Sequence, residues 1–200
     1  MTPDEFRQLL IQNTADEIVE DIILADEPGP HTSREALDFL ESKAKLAFGL
    51  NEDHALSATV VGSAKLGFAF LAKPGRGGVG YKPAYRAYEP GISDIDIAVV
   101  SPIMYGKIWQ DLARFGANQQ QFPWQTELAP YMLHGWIRPD KFPYGAPQRC
   151  NDWKNVVNEV GRSVHFRYKK LRCGIYQSRY FLKLYQQRGV LAAQQEENPA

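Results

Sequence analysis

The chain has 200 residues, with 23 Lys and Arg against 23 Asp and Glu, a formal net charge of zero, 44% hydrophobic residues and 12% aromatic residues. This balance excludes a disordered polyelectrolyte, and the total charge predicts no general affinity for nucleic acid. No apolar run approaches the roughly 18 residues that a spanning helix needs, and no charged-then-apolar leader opens the chain, so the sequence predicts a cytoplasmic protein with no membrane contact.

The length predicts one buried domain over residues 1–191 and a disordered tail over 192–200. Charge is uneven, acid-rich in the first 60 residues and basic from Arg162 to Arg188. Cys150 and Cys173 have neither CxxC nor Cys/His spacing and read as reduced thiols, with no zinc site.

Pro3 to Ala25 reads as one helix capped by Thr2, and Thr32-Ser33-Arg34-Glu35 as a capping box opening a second helix to Phe48. The acids Asp16, Glu17, Glu20 and Asp21 read as a solvated face. Val60-Val61 is a buried-strand signal ending in Gly62-Ser63, and Ala64 to Leu71 is apolar enough to be buried as helix or strand. Lys73 to Gly91 is a Gly/Pro-rich insertion with Arg76, Lys82 and Arg86 interleaved with Tyr81, Tyr85 and Tyr88, a composition suited to phosphate contacts and base stacking or to a plain surface loop. Its Gly75-to-Gly80 run lacks the Lys-Ser/Thr pair and the following helix of a phosphate-binding P-loop.

Ser93-Asp94-Ile95-Asp96-Ile97-Ala98-Val99-Val100 predicts a second buried strand. Pro102 to Phe115 reads as a helix. Residues 116–147, with Gln119-Gln120-Gln121, Trp124, Tyr131, His134, Trp136, Phe142 and Tyr144, read as short helices and turns packed over the core. Asn151 to Val160 predicts a helix broken by Gly161. Val164 to Tyr168 predicts a strand placing His165, Arg167 and Lys169 on one face, and Ile175 to Arg188 a helix ending at Gly189, with Tyr176, Tyr180 and Leu184 in one stripe.

The carboxylates carry the chemistry. Side chains alternate along a strand, so Asp94 and Asp96 share a face about 7 Å apart while Ile95, Ile97 and Val99 point to the core. Two like charges at that spacing call for a cation between them, and Mg²⁺ or Mn²⁺, a hard ion taking oxygen ligands, meets the need. The Gly62-Ser63 turn offers backbone amides and a hydroxyl to a polyphosphate.

Gly-Ser at the end of one strand followed by Asp-x-Asp in the next resembles the DNA polymerase β-like nucleotidyltransferase superfamily. The resemblance implies an α/β (α+β) fold with a mixed sheet, two leading helices and flanking helices. It implies an NTP or dNTP at Gly62 and Ser63, with Ser93 beside it, and Mg²⁺ on Asp94 and Asp96. Lys65 reads either as an ammonium placed to reach a triphosphate or as a surface lysine, and Arg167 and Lys169 would neutralise phosphate charge.

The implied reaction moves a nucleoside monophosphate to a hydroxyl, with a nucleotide or nucleic-acid acceptor favoured by the basic insertion. Compact bacterial stand-alone relatives work in toxin–antitoxin and antiphage modules, which implies a partner protein from the same operon. The chain departs from the pattern twice. The gap between turn and Asp pair is about thirty residues, longer than in compact members. The third carboxylate that the family draws from a later strand is missing, and His165, which reads as a partly exposed strand histidine or as a substitute metal ligand, stands where an acid is expected. A nucleotide sensor or scaffold of the same fold, without catalysis, is the alternative reading.

Overall fold

The computed structural model describes residues 1–74, 80–118, 125–167 and 169–198. Gly75 to Val79 with Arg76, Gln119 to Trp124 and Tyr168 lie outside the described residues.

Helix α1 (Pro3–Gln12) has the predicted Thr2 cap, completed as a capping box by Glu5, but it is shorter than the sequence predicts. Asn13 is extended, and Thr14 starts a second capping box with Glu17 for α2 (Ala15–Ile18), which passes into a π-helical turn (Val19–Ile23). Two reciprocal caps twelve residues apart outweigh a loose apolar stripe in deciding where a helix begins. α3 (Arg34–Phe48) is capped by Ser33 and closes at left-handed Gly49.

β1 (Ser57–Val61) leads through Gly62 into the short α4 (Ser63–Leu66). Four two-residue strands follow: β2 (Phe68–Ala69) pairs with β5 (Arg86–Ala87), and β3 (Lys73–Pro74) with β4 (Tyr81–Lys82). β6 (Ile95–Val100), α5 (Pro102–Asn118), α6 (Gln125–Leu133), β7 (Trp136–Ile137), a 3-10 turn (Pro139–Lys141), α7 (Gln148–Gly161), β8 (Leu171–Tyr176) and α8 (Arg179–Glu197) complete the order.

The main sheet runs β1-β6-β8-β7 and is mixed, so the fold is α+β: β6 is antiparallel to β1 and parallel to β8, and β7 is antiparallel to β8. Both faces are covered. Ala58, Val60, Ile95, Ile97, Val99, Cys173 and Ile175 pack against Leu40 of α3, Ile108 of α5 and Trp153 of α7. Val61, Ala98 and Tyr176 on the opposite face meet Phe6 and Leu10 of α1, Ile23, and Leu182 and Val190 of α8.

Where a strand is predicted from Val164, the described residues 164–167 form a turn, and the helix predicted from Ile175 starts only at Arg179. Phe166 is buried as an anchor and Arg167 takes φ +50°, reversing the chain. The strand starts four residues beyond Arg167, where Leu171, Cys173 and Ile175 alternate with Arg172, Gly174 and Tyr176. Tyr176 therefore belongs to the sheet, and Tyr180 is exposed.

Two further expectations change. The acids of α2 and of the π-helical turn are not simply solvated: Asp16 meets Lys183 at 2.7 Å, and Glu20 meets Arg179 at 2.6 Å and Lys183 at 3.0 Å, a seam joining the acidic start of the chain to its basic end. α8 also passes through Gly189 to Glu197, so the expected tail is helical through that residue. Gln194 donates to the carbonyls of Leu10 and Asn13, both at 2.9 Å. Glu197 accepts the Tyr85 hydroxyl at 2.6 Å, and the Arg7 guanidinium lies 4.0 Å over the Tyr85 ring. Docking on α1 outweighs the cost of a mid-helix glycine, about 1 kcal/mol.

Candidate functional site

Asp94 precedes β6 directly, and Asp96 is its second residue, on the face shared with Ala98. Across the sheet, Asp96 stands opposite Val61 of β1 and Arg172 of β8. Gly62, one residue beyond Val61, has φ +68°, and a Cβ placed on it would lie 3.3 Å from Asp96 Oδ2. The turn and the carboxylate, about thirty residues apart in sequence, are thus in contact because β1 and β6 are antiparallel neighbours.

The cation beside the carboxylates comes from the protein. Arg172 Nε lies 2.7 Å from Asp94 Oδ2, and Lys170 Nζ 3.4 Å from Oδ1. The two cations are largely exposed, with 64% and 73% of their side chains open, whereas the Asp94 side chain is only 16% exposed. Burial raises the Asp96 carboxyl above its ordinary range against the pull of Arg172 and Lys73, with Asp94 adding to the rise. Tyr88 is also raised, by burial and then by the two Asp charges. Its ring stacks on His31 at 4.2 Å, and burial together with the Lys169 charge lowers the His31 pKa.

The other predicted site residues have separate tasks. Lys65 is buried and donates to the carbonyls of Ala25, at 2.8 Å, and Glu27. It clamps the Ala25–Gly29 loop on α4, where left-handed Gly29 is so close that an added Cβ would meet the Lys65 carbonyl at 2.7 Å. An ammonium held this way is structural and does not reach a triphosphate. Lys65→Met should leave two carbonyls unpaired and cost about 1–3 kcal/mol, read as a lower urea midpoint with unchanged slope.

Ser93 Oγ accepts the Glu89 amide at 3.2 Å and closes the loop before β6. Lys169 Nζ donates to the His31 carbonyl at 2.9 Å, and Arg167 is exposed in the turn after Phe166. His165 packs on Phe39 of α3 at 4.6 Å rather than beside the Asp pair. Gly62 with Ser63 next to it, Asp94 and Asp96 are brought together; Lys65, Ser93, Lys169 and His165 are held by other contacts, and Arg167 is exposed in its turn. Sequence reasoning missed Arg172, Lys170 and Lys73. The alternation Leu171-Arg172-Cys173-Gly174-Ile175-Tyr176 was the available signal for the first.

Among the described residues, no group of three or more His, Cys, Asp or Glu comes together as a metal site. Two neighbouring carboxylates do fit one divalent ion of the Mg²⁺ type, whose remaining ligands would be waters and phosphate oxygens. The β8 position opposite Asp96 holds Arg172 and not a third carboxylate. No family model, no curated protein and no solved structure matches this chain.

Proposed function

We propose that the chain is a nucleotidyltransferase of the polymerase β-like type, which transfers a nucleoside monophosphate from an NTP or dNTP to a hydroxyl, with a nucleotide or oligonucleotide acceptor favoured. The observation that carries this reading is the contact of Gly62 with Asp96. It joins the Gly-Ser turn to the Asp-x-Asp strand across a long insertion, on a sheet whose next strand is parallel.

In this reading Gly62 and Ser63 receive the phosphate chain, where the lack of a Cβ permits close approach. Asp94 and Asp96 would hold one Mg²⁺, which when bound supplies charge stabilisation to the reacting phosphate. The protein's own task is positioning: the carboxylates and the turn fix the phosphate in line with the acceptor hydroxyl, and proximity supplies much of the rate.

Arg172 favours a second reading. With a guanidinium where the family pattern has its third acid, the site would suit a nucleotide sensor or scaffold that binds without turnover. The test is incubation with each α-³²P-labelled NTP and dNTP plus Mg²⁺ or Mn²⁺, with and without oligonucleotide, and with a partner protein from the same operon where one is encoded. Label in a product on protein or nucleotide gels supports the transferase. Saturable nucleotide binding with no label under any of these conditions supports the sensor.

A further inference from the structure

The site carries more positive than negative charge. Asp94 has both oxygens engaged by cations at the start of β8, Arg172 at 2.7 Å and Lys170, one residue before the strand, at 3.4 Å. Lys73 acts on Asp96 from the insertion. Lys82 is the direct cross-strand partner of Lys73, a juxtaposition of like charges that destabilises a strand pair unless an anion lies near. Three cations, Arg172, Lys170 and Lys73, therefore act on the two carboxylates. With three cations against two carboxylates, the site has an excess of positive charge without any ion.

The exposed ends of Arg172 and Lys170 make a pair with Asp94 that is screened by water and cheap to rearrange. A guanidinium also presents a planar fork suited to phosphate oxygens.

We infer that Arg172, with Lys170 and Lys73, receives the nucleotide's phosphate chain directly, in place of a second divalent ion and its third carboxylate, so that polyphosphate binding persists without divalent metal. This rests on reading the site as a nucleotide site. The ligand is a linear polyphosphate, as in an NTP tail. Asp94 loses its cationic partners to the phosphates as the ligand enters and is then free for the one ion the site fits.

The experiment is calorimetric titration of the full chain with inorganic triphosphate and with each NTP, in EDTA and in Mg²⁺. Expected is saturable binding in EDTA, weakened about ten- to hundredfold in Arg172→Ala, the loss typical of a charge-assisted hydrogen-bonded contact. Arg114→Ala removes an exposed cation of α5 that makes a loose ion pair with Asp111 and should stay within about twofold of wild type, as surface ion pairs contribute little.

A complementary arm uses Arg172→Asp, which places a third carboxylate beside Asp94 and Asp96. In Mn²⁺ titrations followed by electron paramagnetic resonance, this variant should bind the ion at least about tenfold tighter than wild type, as added carboxylate ligands tighten divalent sites. If it does not fold, Arg172→Ala decides. Binding of triphosphate only in Mg²⁺, with Arg172→Ala unaffected, overturns the inference and leaves the nucleotide site standing. Orthophosphate binding as tightly as triphosphate also overturns it, since a single anion then suffices. No binding of triphosphate or any NTP in either buffer removes the nucleotide reading itself.

Discussion

Changing Asp94 and Asp96 together to alanine is expected to abolish label incorporation, with a fall of more than about 10³-fold, while the protein stays folded. That size follows from removing groups that act together on transition-state charge, where single losses reach 10²–10³ and do not add. Folding should survive because neither side chain belongs to the apolar clusters, and the cations released, Arg172 and Lys170, are already open to water.

Asp96 gives a second readout. Its folded-state pKa is raised by burial, so protonation favours the folded form. The associated stability is full below the unfolded pKa and is lost as pH rises through the raised folded value. Asp96→Asn should therefore remove a decline in melting temperature on the alkaline side of the usual carboxylate range. A decline that persists in the variant would assign it to another group. If wild type incorporates label and the double variant matches it, the transferase proposal is lost, whatever the stability result.

Trp153→Ala should be the most damaging single change to the fold. The residue is fully buried on α7, its ring meets Phe48 of α3 edge-to-face at 6.4 Å, and its indole nitrogen donates to the Cys173 carbonyl of β8 at 3.2 Å. It therefore links two helices to the strand that carries Arg172. Truncation should cost about 3–5 kcal/mol, a large part of the usual 5–15 kcal/mol, and lower the melting temperature by about 6–20 °C. Trp153→Phe should recover most of the packing but not the hydrogen bond, leaving a deficit of about 1–2 kcal/mol. A melting shift under about 3 °C for the alanine variant would mean that α7 is not held as its packing implies.

Much of the local structure was legible. Thr2 with Glu5 and Pro102 mark their helix starts, Gly62 its turn, and the Ile95-to-Val99 alternation its strand, because capping, left-handed backbone and period-2 burial act within a few residues. The break at Asn13 was written in Thr14 and Glu17, but a continuing apolar stripe masked it. β7 was not legible: two residues, Trp136 and Ile137, carry no periodicity, and they become a strand only because β8 offers an edge.

The composition of the site divides along the same line. The sequence by itself determined the two halves, Gly62-Ser63 and Asp94-x-Asp96, since each depends on a turn or a strand whose cause is local. Only the tertiary structure decided that they touch, that Lys65 is tied to Ala25 and Glu27, and that Arg172 stands opposite Asp96. Those outcomes follow from strand register and from loops closing over some forty residues between Lys65 and Ala25. Register between strands distant in sequence is set by matching buried faces across the sheet, a condition that no short window of residues contains.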